Sequence, residues 1–165
     1  MMQTGDFAVV RTGGWAGWGI RVVTRSHYNH AILHVGNGQV VEAQPRGARF
    51  TPVGVYADAD VLWSNLDLTD DQRAVIAHAG RARVGTPYSW LDDACIALTA
   101  LLGVHVPRWV RRRLARPDRL MCSQLVDVCY QAAGIDLVPS KILPGDVSPG
   151  DLADVIAHRP VPEHW

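Results

Sequence analysis

The sequence predicts an α+β fold, a strand-rich half followed by a helix-rich half over one core. Three observations carry this. Short apolar or alternating runs recur before residue 66, separated by Gly- and Asn-containing turns. After Thr69 the period changes to that of helices, with Ser/Thr caps at their starts. No repeat or low-complexity linker divides the 165 residues, a length that suits one core, so a single domain over 1–165 is expected.

In order, GDFAVVR (5–11) alternates weakly and reads as a first strand, punctuated by Gly13-Gly14. Residues 15–25 suit a short helix, with Trp18, Val22 and Arg25 on one face. HAILHV (30–35) and QVVEAQ (39–44) flank Gly36-Asn37-Gly38, a strong hairpin signal. Residues 48–53 and 60–66 are further strands, completing an antiparallel meander. Thr69 and Gln72 form a capping box for a helix that runs to Val84 and stops at Gly85. Ser89 and Asp92 start a second helix through CIALTALL to Gly103, and Pro107 opens the basic stretch RWVRRRLAR. Asp118 is a candidate cap for a helix that carries Cys122 in its first turn and ends at Gly134. Ser148-Pro149 begins a last short helix, and the tail after it reads as coil.

Composition narrows the function. The formal net charge is zero, which argues against a dedicated nucleic-acid binder. The cations are fifteen Arg and one Lys, Lys141, a bias from which no function follows. No apolar run is long enough to span a bilayer, and residues 1–11 lack a secretory signal pattern. A cytoplasmic protein, or one exported by a route without a signal (for example as a phage component), is therefore expected. Three cysteines, an odd number, point to thiols rather than a disulfide framework.

Cys122 is the candidate nucleophile. Leu125, Val126, Cys129 and Ala133 share its helical face, and the positive end of a helix favours a thiolate. Taken alone, such a cysteine is more often an inert core residue. Cys129 and Cys95 read as core. A reactive thiol needs a base, and His27, His30 and His34 cluster at the hairpin while His78, His158 and His164 read as solvated. His105 falls in a loop beside the basic stretch. His30 starts the strand; His34 reads as a satisfied core or rim histidine. Glu42 is the candidate orienting carboxylate, with Gln44 as the fallback. A tight Asn37-Gly38 turn would pair residue 33 with 42 and put Glu42 on the face opposite His30. A three-residue loop would pair 32 with 42 and put both on one face. The residues alone leave both open. Metal binding by the H-x-x-H-x-x-x-H run at 27–34 is the rival use, although its spacing matches no common zinc motif. The HExxH, phosphate-loop and GxSxG patterns are absent.

Five blocks together resemble a known family. They are the GD strand, Ser26-His27-Tyr28-Asn29-His30, Val41-Glu42-Ala43, Gly85-Thr86-Pro87-Tyr88 and Cys122-Ser123-Gln124-Leu125-Val126. In this order, histidine hairpin before cysteine helix, they resemble the circularly permuted, YiiX-like branch of the NlpC-type, papain-like cysteine peptidases. The order is also that of the lecithin–retinol acyltransferase group. The resemblance implies a papain-like antiparallel sheet or half-barrel packed on a helical half that carries the nucleophile helix. It implies Cys122 as nucleophile, His30 as base and Glu42 as orienting residue, and it favours the longer hairpin loop. Tyr88 corresponds to a tyrosine that flanks the nucleophile and helps hold the oxyanion, and Tyr28 is a candidate cleft residue. No cofactor is implied. One departure is the insert at 91–118, an apolar helix plus the basic segment with Arg108, Arg111, Arg112 and Arg113. It suits a lid, a membrane-surface patch, a docking site for an anionic polymer, or a packed hairpin with a solvated basic face.

The expectation that follows is a cysteine hydrolase cleaving an amide bond through a Cys-His-Glu triad and an acyl-enzyme, with bacterial cell-wall peptides as the substrate class. Alternatives are a lipid acyl hydrolase or acyltransferase, a binding module that kept the fold without turnover, and a metal-binding protein. The binding module is favoured if His30 lies beyond hydrogen-bond distance of Cys122.

Overall fold

The computed structural model describes residues 2–13, 26–44, 46–87, 121–139 and 147–158. Five strands, Phe7–Arg11 (β1), His30–Gly36 (β2), Gln39–Gln44 (β3), Gly47–Pro52 (β4) and Asp60–Trp63 (β5), form one antiparallel sheet in the order β4-β3-β2-β1-β5. Three helices follow: Asp70–Ala82 (α1), Cys122–Ala132 (α2) and Pro149–Ala157 (α3). The expected α+β class is observed. The half-barrel is not: among the described residues the sheet is open, with β4 and β5 as its edges. The expected helices at 15–25 and 89–103, the insert at 91–118, the Asp118 cap and the tail lie outside the described residues.

The strands are buried on both faces, which explains the weak alternation of FAVVR. Phe7, Val9, Ala31, Leu33, Val35, Val41 and Ala43 face the main core with Ile76, Leu125, Val126, Tyr130 and Leu152 from the helices. The intervening Ala8, Val10, Ile32 and Val40 form a second core on the other face. Val53 and Tyr56, from a 3-10 turn at Val53–Tyr56, cover it together with Val61 and Trp63 of β5.

The hairpin resolves the question of register. Asn37 and Gly38 have φ of 55° and 66°, the left-handed pair of a tight two-residue turn. The strands then pair Gly36 with Gln39, but His34 with Val40 and Ile32 with Glu42, a shift of one residue. A tight turn plus a β-bulge therefore gives the register expected of the longer loop. The extra residue moves Glu42 onto the face of His30.

Local signals set the helices. The Thr69 hydroxyl accepts from Gln72 N–H, and the Gln72 side chain accepts from Thr69 N–H. Ser148 caps α3 in the same way through Asp151. At α2, Gln124 Oε1 accepts from Met121 N–H, at 3.3 Å. α2 is docked by its apolar stripe and by Tyr130, whose hydroxyl donates to Gly5 O at 2.7 Å and whose ring meets Phe7 edge-on.

Candidate functional site

His30 and Glu42 meet at the start of β2. His30 Nε2 lies 2.8 Å from Glu42 Oε2, and the Glu42 side chain is fully buried. Five side chains donate to this one carboxylate. On Oε2 they are His30, Gln44 Nε2 at 2.7 Å and the Tyr56 hydroxyl in a very short bond. On Oε1 they are the Thr51 hydroxyl at 2.6 Å and Arg49, through Nε at 3.1 Å and Nη2 at 3.0 Å. Arg49 pairs directly across from Glu42, and Thr51 lies two residues on along the same edge strand.

The electrostatics follow from this crowding. Burial works against ionised Glu42, but the bonds from His30, Thr51, Tyr56 and Gln44 outweigh it and hold the carboxyl far below its ordinary range. Burial also works against charged His30; the neighbouring Cys122 and Glu42 side chains prevail and raise it to about 9. Burial and then the bond to Glu42 push Tyr56 far above its ordinary value. At neutral pH the cluster holds an imidazolium and a guanidinium against one carboxylate.

Cys122 is the first residue of α2 and is buried, and its proximity contributes to the raised His30. A side-chain hydrogen bond with Cys122 is among the causes of that rise, beside the one with Glu42. Cys129 is fully buried, and burial pushes its thiol to about 11, as befits a core cysteine. His34 Nδ1 lies 3.0 Å from Gln3 O, and His27 Nε2 lies 2.6 Å from Asp60 Oδ2 on the surface. The three hairpin histidines do not converge, and among the described residues no three His, Cys, Asp or Glu side chains are grouped so as to hold a metal ion. Tyr28 is half-buried against the main core, next to His27. Tyr88, Cys95, His105 and the four arginines of the basic segment lie outside the described residues.

Sequence reasoning missed Arg49, Thr51 and Tyr56. The first two are legible once the β3–β4 register is known, because alternation sets them on the face of Glu42. Nothing local marks Tyr56, which reaches Glu42 from the 3-10 turn.

No family model and no curated protein matches the chain. A solved structure does: the crystal structure of metalloprotein yiiX from Escherichia coli O157:H7, a DUF1105 protein. It is 20% identical, with a TM-score of 0.57, over 82% of this chain and 68% of that one. The likeness is one of fold.

These findings overturn the expected cysteine peptidase or amidase. The protein that shares the fold is named a metalloprotein, not a peptidase, and no match supplies a thiol-protease signature. The hydrolase, with its acyl-enzyme, is withdrawn as the reading of this site.

Among the described helices, none is long and apolar enough to cross a membrane.

Proposed function

We propose that the chain is a ligand-binding module on a circularly permuted, YiiX-type scaffold, holding a short peptide or acyl ligand at the corner of His30, Glu42 and Cys122 without cleaving it. The order of the blocks, histidine hairpin before cysteine helix, supports the permuted scaffold. One observation carries the binding reading: the buried Glu42 is saturated by five side-chain donors, which fix the His30 ring in place. Such a carboxylate has no capacity left for a further partner. Its work is to hold His30 charged and oriented at the start of α2, beside Cys122. A rigid polar floor of this kind lowers the ordering cost of binding.

The solved structure of like fold is named a metalloprotein, and the donors at this corner can be compared with what a metal needs. His30 and Cys122 are the right kinds of ligand for zinc, and a carboxylate behind the histidine is the usual support. They are two donors, however, where a held zinc takes at least three from the protein. Glu42 is spent, and His30 would first have to lose a proton. The described residues do not fit a metal centre.

The test is incubation with short cell-wall peptides and, separately, phospholipids, read by mass spectrometry. Wall peptides retained intact by the wild type and by Cys122→Ala, and lost from His30→Ala, are expected. Cleavage by the wild type that disappears in Cys122→Ala would overturn the proposal.

A further inference from the structure

Arg49 is the least explained member of the cluster. Its Nε and Nη2 both donate to the same Glu42 oxygen, at 3.1 and 3.0 Å. That uses one edge of the planar guanidinium. The other edge, formed by Nη1 and the second N–H of Nη2, bonds to no side chain or carbonyl among the described residues. The side chain is 59% exposed, although its partner carboxylate is fully buried. Arg49 is not the only partner of Glu42, because His30 lies on the other oxygen at 2.8 Å. The exposed fork is where the positive charge of Arg49 meets solvent. A guanidinium edge with two parallel N–H groups matches the two oxygens of a carboxylate or phosphate.

We propose that Arg49 is an anion anchor: its free N–H edge takes a carboxylate or phosphate oxygen pair of the ligand that the His30 corner holds. The inference rests on the binding reading above and adds the ligand class, an acyl or peptide group with an oxyanion beside it. Glu42 then serves both cations at once. It holds His30 through Oε2 and aims Arg49 through Oε1, so that a ligand at this corner meets the guanidinium fork in a set orientation. Lysine in place of Arg49 keeps the charge but lacks the fork.

The test uses the full chain with N-acetyl-alanine, its C-terminal amide and inorganic phosphate as probes, followed through the Arg49 Nε–H and His30 ring signals in NMR titrations. The acid is expected to bind at least about tenfold more tightly than the amide, the size of a charge-assisted hydrogen bond. Arg49→Lys should lose most of that preference while its melting temperature stays close to wild type. Raising ionic strength should weaken the acid and leave the amide unchanged, a comparison that needs no variant. Competition by phosphate supports the shared oxyanion chemistry; an acid preference that phosphate leaves intact assigns the anchor to carboxylates. Equal binding of acid and amide overturns the anchor but leaves the binding module standing. If neither probe binds, the anchor fails, and wall peptides that are also not retained remove the module with it.

Discussion

At the scale of residues, the buried charges set a distinct pH response. His30 is raised in the folded chain to about 9 from an ordinary value of 6.5. A raised base stabilises the fold below its unfolded pKa, so its contribution is full below about pH 6.5 and is lost as pH rises through about 9. The shift corresponds to something on the order of 3 kcal/mol. Denaturant unfolding of wild type and His30→Gln should show a difference that shrinks over this window. Glu42 is depressed, so its contribution is present above the ordinary carboxylate range and is lost as pH falls into the acid. Glu42→Gln leaves two cations without a counter-charge and should cost about 3 kcal/mol at pH 7. It should also bring the His30 pKa down, which NMR of the ring protons reads directly. Asp127 behaves in the opposite sense. It is buried, Oδ1 has no hydrogen-bond partner among the described residues, and burial followed by repulsion from Asp136 raises it to about 6. Its charged form opposes folding, so Asp127→Asn should raise the melting temperature at pH 7 to 8 and change little at pH 4.

At the scale of elements, the bulged hairpin and the approach of α1 to β2 position everything else. The bulge between His34 and Gly36 is what turns Glu42 toward His30. The helix comes close because residue 80 is glycine. A Cβ there would lie 2.7 Å from Leu33 Cδ2 and 3.1 Å from Val35 Cγ1, both side chains buried in the core. Alanine would gain up to about 1 kcal/mol in helix propensity. Overpacking a full core costs about 1 to 3 kcal/mol, so the clash wins and Gly80→Ala should lower stability. A melting temperature above wild type in that variant would show that α1 moves away freely. Thr69→Ala, by contrast, removes the hydroxyl half of a reciprocal cap and should cost about 1 kcal/mol without moving the site.

At the scale of the whole molecule, the sheet is a wall with a core on each side, and α2 joins the wall to the site. Tyr130 ties that helix to the start of the chain: its hydroxyl bonds Gly5 O and its ring packs on Phe7, all of it buried. Tyr130→Phe keeps the packing and strands a carbonyl, so a loss of about 1 to 3 kcal/mol is expected in equilibrium unfolding. Because α2 begins at Cys122, the same variant should also reduce ligand retention if the helix shifts at the wall. A cavity of about 460 Å³ lined by Val35, Gly36, Phe50 and Arg81 opens at the turn end of the hairpin, at the other end of β2 from His30. It is remote from the charged cluster and adds nothing to it.

Local chemistry in the sequence determined the strands, the caps of α1 and α3, and the burial of Cys129, because alternation, capping boxes and apolar stripes act within a few residues. It also singled out His30 and Glu42 as partners, while leaving their register open between two hairpins. Tertiary structure decided that register, since a bulge is chosen by the packing of both sheet faces and not by the turn alone. It decided the company of Glu42 as well: Arg49, Thr51 and Tyr56 arrive from a neighbouring strand and a 3-10 turn, at sequence distances where no periodic signal survives. The resemblance of five short blocks had carried a peptidase with it. Hydrogen bonding among side chains brought together only by folding joined His30 to Glu42 and filled the carboxylate with donors from β4 and the 3-10 turn.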